Sequence, residues 1–356
     1  MKRRLFKIII GILIIIIMIP IIFIGYVTWK NPSHEDVEVV NIENNQREEL
    51  VPEEEYSVLI FNLGYGGLDR NQEFFMDGGV SSRGESEAQV ISNMQAITDF
   101  LSNESSDFML LQEVDIRSAR SYNINQYELL KNELKDYGNA FAYNYQAIWV
   151  PVPLLNPMGH ANSGLLTLSK YTMHQALRRE LRGQESWPVI LADLDRSLLE
   201  TRISVENGRD LVLVNLHLSA YDEGGLLREQ QVEHLLELIK EIYAKNDYVI
   251  LGGDWNQLLG SVQLNDPEFI EEWPDWLVPI AESLDDTGYR WGIDESVMTV
   301  RDIGAPYEPG ETFETVIDGF LVSPNIRIIA VDGHNLGFEH SDHNPVTLRF
   351  ELTEDD

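Results

Sequence analysis

The sequence predicts an α/β domain, with sheets covered by helices on their outer faces, carried behind one membrane-spanning helix. Three observations carry this reading. One long uncharged apolar run stands near the amino terminus. From Tyr56 onward, short apolar runs alternate with amphipathic stretches of helical period. No internal repeat interrupts that alternation, so one large domain of mixed elements is the natural count.

The apolar run extends from Ile8 to Trp29 without a charged residue. At about 1.5 Å per helical residue it spans a hydrocarbon core of roughly 30 Å. Pro20 is tolerable in a membrane helix, and Tyr26 and Trp29 stand where an interfacial aromatic belt belongs. A cleaved signal peptide is the competing reading, but the run is too long for one and Gly25-Tyr26-Val27-Thr28-Trp29 offers no Ala-x-Ala-like site. Lys2, Arg3, Arg4 and Lys7 precede the run, which keeps the amino terminus cytoplasmic and sends everything after Lys30 outward. Residues 1–30 are thus expected to form a basic tip and anchor, 31–55 a linker, and 56–352 the outer domain. The linker holds nine acidic residues and a single Arg, and self-repulsion predicts an extended tether.

Composition narrows the chemistry. The 356 residues are 44% hydrophobic and 24% charged, a globular balance. The absence of cysteine excludes disulfides, thiolate metal sites and a cysteine nucleophile. The net charge is −33, and the five basic groups of the first 30 residues leave 21 basic against 59 acidic residues beyond them, a balance of −38. Such a surface repels nucleic acid at long range and suits solubility.

Strand-like runs are Tyr56–Asn62, Asp107–Gln112, Gly164–Leu168, Leu211–Leu216, Tyr248–Gly252, Thr315–Leu321 and Val346–Phe350. Several are continuously apolar, as strands buried on both faces are. Helical period is clear in Ala88–Leu101, and clearer in Arg228–Tyr243, where Val232, Leu235, Leu236, Ile239 and Tyr243 make a stripe.

These apolar runs end on polar residues: Asn62, Glu113, His217, Asp254 with Asn256 close behind, Asp318, and the His340-Ser341-Asp342-His343-Asn344-Pro345 segment before the last strand. Burying a charge without a partner is costly, so one such residue is usually a cap; six strand ends together point to one convergent site. The set fits phosphoester hydrolysis with a hard cation. Glu113, Asp254 and Asp342 supply carboxylate oxygens of the kind Mg²⁺ takes. A bound metal polarises a phosphoryl oxygen and lowers the pKa of water, while imidazole and amide donors stabilise developing charge.

Phe61-Asn62, Gln112-Glu113-Val114-Asp115, Ser163-Gly164-Leu165-Leu166-Thr167-Leu168-Ser169-Lys170, Asn215-Leu216-His217-Leu218, Gly252-Gly253-Asp254-Trp255-Asn256, Ile317-Asp318-Gly319-Phe320 and Ser341-Asp342-His343-Asn344-Pro345-Val346 follow one another in chain order. In that order they resemble the motifs of the endonuclease/exonuclease/phosphatase family, whose members include DNase I-like nucleases and neutral sphingomyelinases. The resemblance runs over Tyr56–Phe350 and implies a four-layer α/β/β/α sandwich with two mixed β-sheets. It further implies that Glu113 is the principal Mg²⁺ ligand (Mn²⁺ or Ca²⁺ being alternatives), with Asn62 supporting metal or phosphate and Asp342 facing the metal. Asp254 would orient or deprotonate water, Asn256 would donate to the phosphate, His343 would be the catalytic imidazole oriented by Asp318, and His217 would face the scissile phosphate. One position departs from the DNA-repair members, which carry an acid two residues after the first Asn; here it is Gly64.

Several residues read as structural. His160, His174, His234 and His334 fit the surface, His340 is either a loop residue or part of the site, and Arg301 fits either a phosphate contact or, more simply, an ion pair with Asp302. Ser163 and Ser341 suit turns rather than nucleophilic roles. Stretches 64–84, 145–162 and 258–307 hold Phe74-Phe75-Met76, an apolar proline-rich segment, and Trp273, Trp276 and Trp291. They form either a satellite core or a surface that touches lipid or the apolar part of a substrate. The expected partners are a phosphodiester substrate (lipid head group, nucleotide or nucleic acid) and the membrane; no protein partner is inferred. The rival readings are an endonuclease facing the exterior and a catalytically silent binding module on the same fold.

Overall fold

The computed structural model describes residues 2–46, 48–193, 196–260, 274, 276–281, 284 and 287–354. Helix α1 (Lys2–Lys30) comprises the apolar run, and among the described residues it alone is long and apolar enough to cross a membrane.

Two seven-stranded mixed sheets follow. The first orders its strands Val37–Val39, Met173–Glu180, Ser197–Ser204, Asp210–His217, Tyr248–Asp254, Asp318–Val322 and Arg290–Gly292. The second runs Ile326–Gly333, Val346–Leu352, Glu55–Asn62, Phe108–Asp115, Gly159–Ser169, Gly138–Val150 and Ile42–Glu43. Each sheet has one parallel pair at its centre: Asp210–His217 with Tyr248–Asp254, and Glu55–Asn62 with Phe108–Asp115.

Alternation along the central strands explains the layers. Val58, Ile60, Phe108 and Leu110 point inward and meet Leu211, Leu213, Ile250 and Phe320 of the other sheet. Their neighbours Leu59, Phe61, Met109 and Leu111 face outward, onto Val90, Met94, Ile97 and Leu101 of α2 (Glu87–Glu104) and Leu130 of α3 (Gln126–Glu133). Val212, Val214, Val249 and Leu251 do the same against Val232, Leu235 and Ile239 of α4 (Leu226–Tyr243). Strands apolar on both faces are the consequence of helix outside and sheet inside, and the layering is α/β/β/α.

Two expectations are revised. Thr315–Leu321 is not one strand: Glu314–Thr315 pairs with Val300–Arg301, and the chain re-enters the first sheet at Asp318. The acidic segment 31–55 is not a free tether. Val37–Val39 pairs with Leu177–Arg179 on one sheet, Ile42–Glu43 with Asn139–Ala140 on the other, and Leu50 is fully buried in the core between them. Paired backbone and buried Leu50 outweigh self-repulsion here. Trp276 borders the deep cavity described below and Trp291 packs edge-on to buried Trp255 at 4.9 Å, whereas Trp273 lies outside the described residues.

Candidate active site

Strand register assembles the site. Asp254 ends its strand directly opposite His217 on one neighbour and Asp318 on the other, so three adjacent strand ends present three functional side chains. The Asp254 turn requires Gly253: its φ is +143°, and a Cβ there would lie 2.0 Å from the Leu216 carbonyl oxygen. On the second sheet, Asn62 closes the strand beside Gln112. Glu113 follows in a β-bulge. Leu111 pairs with Leu166 and Val114 with Gly164, so two residues lie between partners that are separated by one on the facing strand. Glu113 itself has φ +55°, which turns its carboxylate out of the sheet. The Val300–Arg301 ribbon bridges to His343 and brings the last segment over the strand ends.

Asn62, Glu113, His217, Asp254, Asn256, Asp342 and His343 all line one cavity between the sheets' ends, and Asp318 stands immediately behind His343. His343 Nδ1 is 2.9 Å from Asp318 Oδ2, and its Nε2 is 3.7 Å from Asp254 Oδ2. Asp254 Oδ2 also accepts from Asn62 Nδ2 at 3.0 Å and lies 3.3 Å from His217 Nε2, while its Oδ1 accepts from the Asn256 backbone at 2.9 Å. Burial disfavours charge on His343, but Asp318 and Asp254 outweigh it and lift the imidazolium pKa to about 10. Burial, then Asp318, lifts Asp254 to about 7. His217 goes the other way: burial, then Arg196 and His343, hold it well below the usual histidine range and neutral, and its Nδ1 has no partner.

Asn256 sits at φ +50° with its side-chain amide donating to Leu218 O at 2.9 Å, and its carbonyl accepts from the Arg228 guanidinium. Asn62 accepts from Gly64 N at 3.1 Å, leaving its oxygen a second lone pair. Asp342 is buried beside it, with Ser341 Oγ 3.3 Å from Oδ1. Gly64 has φ +49°, and a Cβ there would stand 2.5 Å from Asp342 Oδ1. The departure at this position is therefore physical: an acid cannot be accommodated without displacing Asp342.

Asp254, Asp318 and His343 bring potential ligand atoms within 4.8 Å of one another. Within this group His343 Nδ1 and Asp318 Oδ2 are already hydrogen-bonded to each other at 2.9 Å. Glu113, Asp342 and Asn62 form a second group facing the same cavity. Their donors are all oxygens, and Glu113 Oε2 is buried with no hydrogen bond, facing Arg120 Nη2 at 3.0 Å.

Polar residues with no motif to mark them also line the cavity, among them Tyr65, Asp77, Arg120, Arg196, Tyr221 and Arg301. Arg120 grips Asp115 through two nitrogens at 3.0 and 3.1 Å, and its guanidinium stacks 4.0 Å over the Tyr65 ring. The Tyr65 hydroxyl and Arg196 Nε are buried without partners. Arg120 is one of 18 arginines, and nothing in the sequence singled it out.

Arg301 lines the cavity, and its guanidinium donates to the carbonyls of Asp69, Gln72 and Asp302 rather than to the Asp302 carboxylate. His160, His174 and His334 bond Asn123, Asp210 and Thr347, and His340 bonds Asn93, all off the cavity. The three loop stretches serve both readings. Tyr65, Leu68, Phe74, Tyr145, Met158 and Ile303 form a satellite cluster whose inner face is the cavity wall.

The family model described as "Endonuclease/Exonuclease/phosphatase family" matches residues 80–343. The chain belongs to the endonuclease/exonuclease/phosphatase family. As a member, it is a hydrolase acting on phosphoester bonds. Its fold is similar to an endonuclease/exonuclease/phosphatase from Beutenbergia cavernae (TM-score 0.54, 18% identity, 84% of this chain and 72% of that one). It is also similar to TDP2 from C. elegans (0.52, 18%, 84% and 75%). A third similar structure is the human Nocturnin catalytic domain with bound sulfate (0.52, 14%, 88% and 97%). At these identities the likeness concerns fold alone. A search of curated proteins finds no match.

Proposed function

We propose that this endonuclease/exonuclease/phosphatase protein is a membrane-anchored, metal-dependent phosphodiesterase with its catalytic domain on the outer side. The observation that carries it is the convergence of Asn62, Glu113, His217, Asp254, Asp342 and His343 on one cavity. A silent binding module has no need to keep all of these together. Glu113 and Asp342, with Asn62 beside them, would hold Mg²⁺, or Mn²⁺ or Ca²⁺ in its place. A cation bound there polarises the phosphoryl oxygen and acidifies water. Asp254 orients the attacking water and takes its proton. His343, fixed in orientation by Asp318, donates to the charge developing on phosphorus oxygens, joined by Asn256 and His217.

Apolar wall residues Leu68, Phe74, Met76, Met158, Trp276 and Ile303 accompany the charged set, and the domain's balance of −38 repels a polyanion, which favours a lipid head group or small diester over duplex DNA. The test is a panel of plasmid DNA, RNA, nucleotides, sphingomyelin and phosphatidyl lipids with each cation and with chelator. KM on the true substrate is expected to change little with NaCl. A steep negative slope with duplex DNA as best substrate favours the nuclease reading instead, because multiple phosphate contacts release counterions.

The orientation rests on the basic residues before Ile8. Protease added to intact cells is expected to digest the domain and spare the amino terminus. A domain protected until the membrane is broken reverses the assignment.

A further inference from the structure

We infer that the cavity is rimmed by a face that docks on the lipid leaflet around α1, so that the site meets phosphodiesters borne by the membrane itself. This rests on reading α1 as a membrane span. The outer end of α1 is held against the domain rather than left on a swinging tether. Trp187 Nε1 donates to Thr28 Oγ1 at 3.1 Å, Val27 is buried, and His34 Nε2 meets Gln146 Oε1 at 2.9 Å on the Gly138–Val150 strand. That strand leads within a few residues into a hairpin tip, Pro151-Val152-Pro153-Leu154-Leu155. Leu154 is 86% and Leu155 97% exposed, and Trp187 beside the helix end is 62% exposed. Leucines so exposed, at the tip of a hairpin whose strand is tied through Gln146 and His34 to the segment that follows the helix, have a partner of stated chemistry at hand: the acyl–headgroup boundary.

The same hairpin walls the active site. Tyr145 and Met158, from either side of the hairpin tip, line the cavity, and the Tyr145 hydroxyl donates to Ala192 O, tying the hairpin to the Trp187 loop. The 78–84 loop joins the tip through Ser82 Oγ to Asn156 O at 2.8 Å and Arg83 to Pro157 O at 2.9 Å. With a balance of −38 outside the anchor, attraction to anionic lipid is absent, so docking is apolar and proceeds on zwitterionic bilayers.

The chain has no cysteine, so Leu155→Cys in the full protein takes one environment-sensitive nitrobenzoxadiazole label. Reconstituted in phosphatidylcholine vesicles, the label is expected to emit to the blue and to resist aqueous iodide at least about threefold better than one at Ile329→Cys, which lies on the opposite edge of the second sheet. Equal quenching at both sites overturns docking. In the second arm, Leu154→Asp with Leu155→Asp leaves hydrolysis of soluble bis(p-nitrophenyl) phosphate unchanged and lowers turnover of a phosphodiester lipid in the vesicles about tenfold. Equal turnover of that lipid by variant and parent overturns the membrane-substrate part. Should the parent hydrolyse neither diester, the phosphodiesterase reading fails, and the quenching comparison still decides docking.

Discussion

Asp254→Asn and His343→Ala are each expected to lower kcat by about 10³-fold, the range of a positioned general acid or base. Asp318→Ala is expected to lower it by about tenfold, since Asp318 acts through the imidazole it holds at 2.9 Å. The losses do not add. Asp254 Oδ2 and His343 Nε2 lie 3.7 Å apart and share Asn62, so either change already disables the unit. Steady-state kinetics of the singles and doubles check this, and additive losses would place the residues in separate sites. The Asn variant also separates catalysis from folding. Burial and Asp318 raise the Asp254 carboxyl from 3.8 to about 7, so the folded state holds its proton more tightly than the unfolded chain does. The stability due to that proton is complete below about 3.8 and is lost as pH rises through about 7. Removing the ionisable group therefore leaves Tm at pH 8 equal or higher while activity collapses.

The division between what was and was not visible in the sequence follows physical lines. Strands buried on both faces, such as Tyr248–Asp254, announce themselves as apolar runs, and α4 announces itself by period. Gly138–Val150 and Ser197–Ser204 did not. The first mixes Asn, Gln and Tyr among its apolar residues. The second buries Glu200, Thr201 and Arg202, whose charges are satisfied by Arg179, Asp210 and Asp247. A buried ion-pair network erases the hydropathy signal that a sequence reading depends on. Pairing of segment 31–55 was hidden for a related reason: edge strands of two or three residues are held by backbone bonds that any side chain permits.

At the site, residues on strand ends were legible because an acid closing an apolar run is anomalous. Tyr65 and Arg120 come from single 3-10 turns and Arg196 from the residue before a strand, where polar residues are ordinary, and only tertiary contacts place them in the cavity. The bulge at Glu113 was equally silent, since register, not composition, creates it.

That bulge frames the other large effect. Glu113→Ala is expected to reduce kcat/KM by at least about 10³-fold, because the carboxylate is the principal oxygen donor proposed for the cation and its backbone aims it at the cavity. The fold should survive. Arg120, which faces Glu113 at 3.0 Å, keeps its two-point grip on Asp115 and its stacking on Tyr65, so no buried charge is stranded. Alanine at φ +55° is no worse placed than glutamate, so backbone strain is unchanged. Thermal unfolding with and without Mg²⁺ separates the two effects. A ligand that binds only the folded state raises Tm, so the parent is expected to gain stability with saturating cation, about 2.7 kcal/mol at a hundred times Kd, and the variant little. A variant that keeps full activity at low Mg²⁺, or the same cation-dependent rise in Tm, would move the metal site elsewhere, and the Asp254–Asp318–His343 group would become the next place to look.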